Sequence, residues 1–165
     1  MRKESYFHDF DGPGWPAPDQ AKKYFLDGGR LWASYGNDHW ALRAEGLYGT
    51  QALSRNESVN IELGMVGSPD HGVLLQYVKW DGRIQHRDCY LSKGDLSRLG
   101  RFMYNLHADP YSLALFIPFE QAFKAVKQFI ETDGELPTSI EWVAARDLPP
   151  DTFPDPAVVR HRLPG

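Results

Sequence analysis

Val59-Asn60-Ile61-Glu62-Leu63-Gly64-Met65 alternates apolar and polar side chains, and this stretch sets the fold. A period of two is the mark of a strand with one face in a core and the other in water. Working outward, residues 73–80 form a more continuous apolar strand. Asp81-Gly82 then predicts a tight hairpin turn, because its central residues tolerate positive φ, and residues 84–91 return antiparallel. Upstream, residues 31–35 and 40–44 read as two further strands split by Gly36-Asn37-Asp38. Downstream, residues 112–117 read as another short strand. Phe119, Ala122, Phe123, Val126, Phe129 and Ile130 then recur at helical spacing, one apolar stripe on a 3.6-residue period. Pro118 suits the first turn of that helix and Gly134 stops it. Residues 139–143 read as a strand that carries Ile140 and Trp142 on the face opposite Glu141. A short helix over residues 18–27 opens on Pro18 and stops at Gly28-Gly29.

The pattern predicts one α+β domain, a mainly antiparallel sheet with hairpins packed against one long amphipathic C-terminal helix and a short N-terminal helix. Residues 1–16 read as an irregular aromatic arm that tucks Phe7, Phe10 and Trp15 against the body. Residues 17–143 form the domain. Residues 144–165 hold five of the twelve prolines and read as an extended acidic tail.

At 165 residues, with 42% hydrophobic and 24% charged side chains, the chain buries a core without staples and is not globally disordered. A single cysteine, Cys89, excludes an internal disulfide and any multi-cysteine metal site. The longest plainly apolar run, residues 113–117, is far short of the roughly 18 residues of a membrane span. No secretory pattern follows Met1, so the expected setting is a reducing cytoplasm. Residues 131–155 set seven carboxylates against Arg146 alone, a local charge of −6 within a net −4. Residues 79–101 carry six bases against three acids. This asymmetry argues against general nucleic-acid binding and allows a basic partner at one end.

Catalytic patterns are sparse. His86-Arg87-Asp88-Cys89 places a thiol beside an imidazole, which invites a nucleophile reading. On a strand, however, His86 and Asp88 share one face and Cys89 takes the other, the pattern of half-buried strand residues. The six histidines are scattered, and the glycines form neither a phosphate loop nor a dinucleotide fingerprint. No cofactor and no metal site is expected. A small domain of this kind is expected to bind rather than to catalyse.

Ile117-Pro118-Phe119-Glu120-Gln121-Ala122-Phe123, then Phe129-Ile130, then Gly134-Glu135-Leu136-Pro137-Thr138-Ser139-Ile140-Glu141-Trp142, resembles the C-terminal signature of the Imm-one family of immunity proteins from bacterial polymorphic toxin systems. The structural marks are Pro118, Gly134, Pro137 and Trp142. Gly72-Val73-Leu74-Leu75 through Tyr77 to Tyr90 is similar to the family's central hairpin. The resemblance implies a bacterial, cytoplasmic protein that binds and neutralises a cognate toxin domain, with neither nucleic acid nor membrane as partner. Family members often accompany nucleic-acid deaminase toxins, including those acting on cytosine, which would make this chain a deaminase inhibitor. A nucleic-acid-targeting toxin carries a basic substrate face, which an acidic inhibitor can cover. Glu135, Glu141, Asp147, Asp151 and Asp155 are the candidate acidic contacts. Trp80 with Asp81, and Trp40 near Asp38, are the candidate anchors at loops. Trp142 is expected to be mostly buried against Phe119, Phe123 and Val126. The alternative is a small α+β enzyme using His86, Asp88 or Cys89; a third reading is an interaction module without a toxin.

Overall fold

The computed structural model of the protein describes residues 1–7, 10–26, 29–34, 39–105 and 108–154. The alternating stretch forms strand β4 (Val59–Ser68). It lies between β3 (His39–Leu47) and β5 (Gly72–Asp81). β6 (His86–Ser92) follows β5, β10 (Trp142–Ala144) closes that edge, and β1 (Arg2–Tyr6) with the short β2 (Gly12–Pro13) closes the other. Strand order is β10-β6-β5-β4-β3-β1-β2, every pair antiparallel. β9 (Phe116–Ile117) pairs with the start of β5, beside the stretch where β6 pairs with its end.

Period two sorts the strands into two faces. Leu42 and Ala44, Ile61, Leu63 and Met65, and Leu75 and Tyr77 stand in register on one face. Against them packs helix α3 (Phe119–Glu131), which buries Ala122, Ala125, Val126 and Phe129. Each large apolar side chain buried there contributes about 1.5–3 kcal/mol relative to exposure. The helix ends where Asp133 and Gly134 take positive φ, with the Gly134 N–H donating to the Phe129 carbonyl. A second, smaller core covers one end of the other face, where Val66, Leu74, Leu91, Met103, Leu115 and Phe116 meet.

Several elements differ from the sequence reading. Residues 2–6 are a strand of the main sheet rather than an irregular arm; their polar composition hides them, because only Ser5 is fully buried. Phe7 and Trp15 do tuck inward, Phe7 onto Trp40 and Trp15 onto Phe129. Residues 31–34 of the expected strand 31–35 are helical instead, and Tyr35 lies outside the described residues: Arg30–Ser34 is helix α2, which sends Trp32 into the core to donate its Nε1–H to the Tyr24 carbonyl. The N-terminal helix is one turn, α1 (Pro18–Ala21), continued by a 3-10 turn. The hairpin after Asp81 is a four-residue loop whose positive φ falls at Gln85, not Gly82. Gly82 is required instead by close approach, since a Cβ there would stand 2.4 Å from the Asn56 carbonyl oxygen. Residues 112–117 split into β8 (Pro110–Ser112), a 3-10 turn and β9; β8 pairs with β7 (Phe102–Tyr104) in a separate hairpin. Of the tail, residues 145–154 are not extended: they fold as two 3-10 turns, and Ala145 and Leu148 pack on the second core. Asp38 with its turn, and residues 155–165 with Asp155, lie outside the described residues.

Candidate functional site

Beyond the second core, the face of the sheet opposite α3 is left uncovered by the described residues. Strand register lays two rows of side chains across it. One runs Arg2, Glu45, Asn60, Trp80, Arg87; the next runs Glu4, Arg43, Glu62, Val78, Cys89. Between Arg43, Arg55, Glu62, Val78, Trp80 and Arg87 lies a groove of about 420 Å³.

Charge is cancelled on only half of this surface. Arg2 pairs with Glu45, Arg55 Nε stands 3.8 Å from the same carboxylate, and Arg43 Nε donates to Glu62 at 2.6 Å. The Arg43 guanidinium also lies 4.6 Å from the centre of the Tyr6 ring. On β5 and β6 the surface turns aromatic and aliphatic. Trp80 is half-buried and fixed by its Nε1–H, which donates to the Asn56 carbonyl at 3.1 Å. Arg87, opposite Trp80 in register, is exposed and makes no hydrogen bond or ion pair among the described residues. Farther along this face His39 is exposed as a residue, but its ring lies over Gly64, and desolvation of the ring there lowers the imidazole pKa, with Glu62 opposing and Arg43 adding.

Around the same end of the sheet, on the α3 side, sits an aromatic and cationic cluster. Tyr48 is 51% exposed and holds a positive φ of 55°. Lys79 Nζ and the Arg83 guanidinium lie 5.0 and 5.2 Å from its ring centre, and its hydroxyl donates to Glu135 at 3.2 Å. Arg83 grips Asp81 through two side-chain hydrogen bonds, which holds the Asp81 carboxyl down at about 2.

The residues singled out in the sequence divide accordingly. Trp80 borders the groove, whereas the Asp81 carboxylate is committed to Arg83. Trp40 offers no surface: it is 4% exposed and stacks on Trp32 at 3.8 Å, because its strand face is the one in register with Met65. Glu135, Glu141, Asp147 and Asp151 are all exposed, and Glu141 is 3.9 Å from Lys93. Trp142 is partly buried and packs on the main core; its ring meets Tyr77 and its Nε1–H donates to the Pro137 carbonyl at 2.7 Å. His86 and Asp88 touch at 2.9 Å on one face, while Cys89 takes the other and packs on the second core, so no thiol–imidazole pair forms. Among the described residues no group of three or more His, Cys, Asp or Glu side chains is placed to hold a metal ion, and no helix is long and apolar enough to cross a membrane.

Tyr48, Arg43, Glu62 and Arg87 were not singled out from sequence. The polar positions Asn60 and Glu62 mark an outward face, but only the register shows which charges on β3 and β6 stand beside them.

A comparison with known families matches residues 44–144 to the family described as Immunity protein Imm1. No curated protein and no solved structure matches the chain.

Proposed function

Because the chain belongs to the Imm1 immunity protein family, we propose that it binds a cognate toxin domain and neutralises it by occlusion, without catalysing a reaction of its own. Immunity implies a toxin protein as partner. The toxin is one that acts on nucleic acid, such as a cytosine deaminase of a bacterial polymorphic toxin system, and the encounter takes place in the cytoplasm. The single observation that carries this reading is the family match, which runs from the middle of β3 to the last residue of β10. The exposed carboxylates of Glu135, Glu141, Asp147 and Asp151 support a basic toxin surface as their target, since opposite charge steers encounter and sets specificity.

Co-expression with the toxin domain encoded beside this chain tests the reading. The expected result is restored growth and a complex that survives affinity purification. Toxicity undiminished by a folded, expressed protein would overturn it.

A further inference from the structure

The groove on this sheet face has the opposite character to the acidic segment, and all of its lining but Arg43 lies within the family-matched span, whereas Asp147 and Asp151 lie outside it. We infer that this groove seats an acidic, partly apolar segment of the toxin, with a carboxylate on the Arg87 guanidinium and apolar atoms on Trp80 and Val78. The inference rests on the immunity reading and names a contact that the acidic segment does not supply.

Charge complementarity selects the occupant. Glu45 and Glu62 are each already paired with arginine, so among the described residues the groove offers a partner one uncompensated cation, Arg87. One planar guanidinium beside an aromatic face matches one carboxylate on an otherwise apolar segment. A polyanion fits poorly, because Glu45 and Glu62 line the same groove and repel successive phosphates. Trp80 is held in place before any partner arrives by its bond to the Asn56 carbonyl, so little side-chain freedom is lost on binding. Tryptophan and arginine, which both line this groove, are among the residue types that carry most binding energy in protein interfaces.

The test uses the full chain and a catalytically inactive form of the adjacent toxin domain, with affinity measured at moderate salt. Arg87→Glu is expected to weaken binding by about tenfold or more, and Arg87→Lys, which keeps the charge, by about threefold or less. Arg87 is exposed and unpaired, so neither change should lower the melting temperature. Trp80→Ala is a second probe, read only alongside an unchanged melting curve, and is expected to weaken binding by a similar factor. A wild-type chain that binds and an Arg87→Glu variant within about twofold of it would overturn the groove while leaving the immunity reading intact. A wild-type chain with no affinity for the toxin would overturn both. Two control arms use a single-stranded oligonucleotide and sedimentation of the chain alone. An oligonucleotide bound, or a dimer formed, in a manner that Arg87→Glu abolishes would assign the groove to those occupants and overturn the inference.

Discussion

Gly134 shows how one residue joins two levels of the structure. It holds φ +96°, and a Cβ there would fall 1.8 Å from Ile61 Cδ1. Gly134→Ala therefore combines a left-handed backbone penalty with a clash in the core, and should cost about 2–4 kcal/mol. Gly49 has φ +75° but open space around it, so Gly49→Ala should cost only about 1 kcal/mol. Urea denaturation of both variants checks the ordering; equal losses would mean that Ile61 gives way freely. The helix-stopping role of Gly134 is legible in the sequence, whereas its contact with Ile61 depends on the packing of α3 across β4. His39 supplies a second test at this scale. The residue is exposed, but desolvation of its ring over Gly64 holds its pKa below 6.5 in the folded chain, so the unfolded chain takes up the proton first. Stability from this group is complete above pH 6.5 and is lost as pH falls from there through the lower folded-state value. His39→Gln should reduce the loss of stability between about pH 7.5 and 5, seen as a smaller shift in the urea midpoint. An unchanged shift would show that the ring is solvated.

At the scale of elements, the sheet changes partners at one point. β5 pairs with β9 through Val73 and Leu74 and with β6 from Gln76 onward, which leaves the Leu75 N–H between them. Ser92 fills that gap: its buried hydroxyl accepts from the Leu75 N–H at 2.9 Å and donates to the Leu115 carbonyl at 2.6 Å. Ser92→Ala strands both backbone groups away from water, and the expected loss is about 2–4 kcal/mol by chemical denaturation. A loss below about 1 kcal/mol would mean that a water molecule replaces the hydroxyl. The same junction marks where the sequence stops being readable. β4, β5, β6 and α3 are long enough to display their periods. β1 carries almost no apolar pattern, because its neighbours in the sheet rather than its own composition place it there. α2, β7, β8 and β10 are each five residues or fewer, too short for a period of 2 or 3.6 to show. The groove was hidden for a related reason. Asn60, Trp80 and Arg87 are scattered along the chain, and only antiparallel register brings them into one row.

At the scale of the molecule, charge is separated: residues 131–155 carry −6, and the other residues together carry +2. The two tryptophans expected as loop anchors divide between Trp40, which belongs to the core, and Trp80, which lines the groove. Acidic groups at a rim act chiefly on the approach of a partner, and a buried or grooved contact acts on its departure. The two surfaces should therefore separate kinetically. Charge reversal at Asp147, Asp151 and Asp155 is expected to slow association with a basic toxin domain by about tenfold at low salt and to flatten the dependence of that rate on salt. Dissociation should change little, since exposed charges beyond about 10 Å are screened at 0.1 M ionic strength and contribute little to the docked state. Arg87→Glu should show the reverse, with faster dissociation and a nearly unchanged salt slope of association. Stopped-flow or surface-based kinetics across a salt series resolves both. An association rate at low salt that is indifferent to reversal of all three aspartates would remove the acidic segment from the encounter and leave the open sheet face as the steering surface.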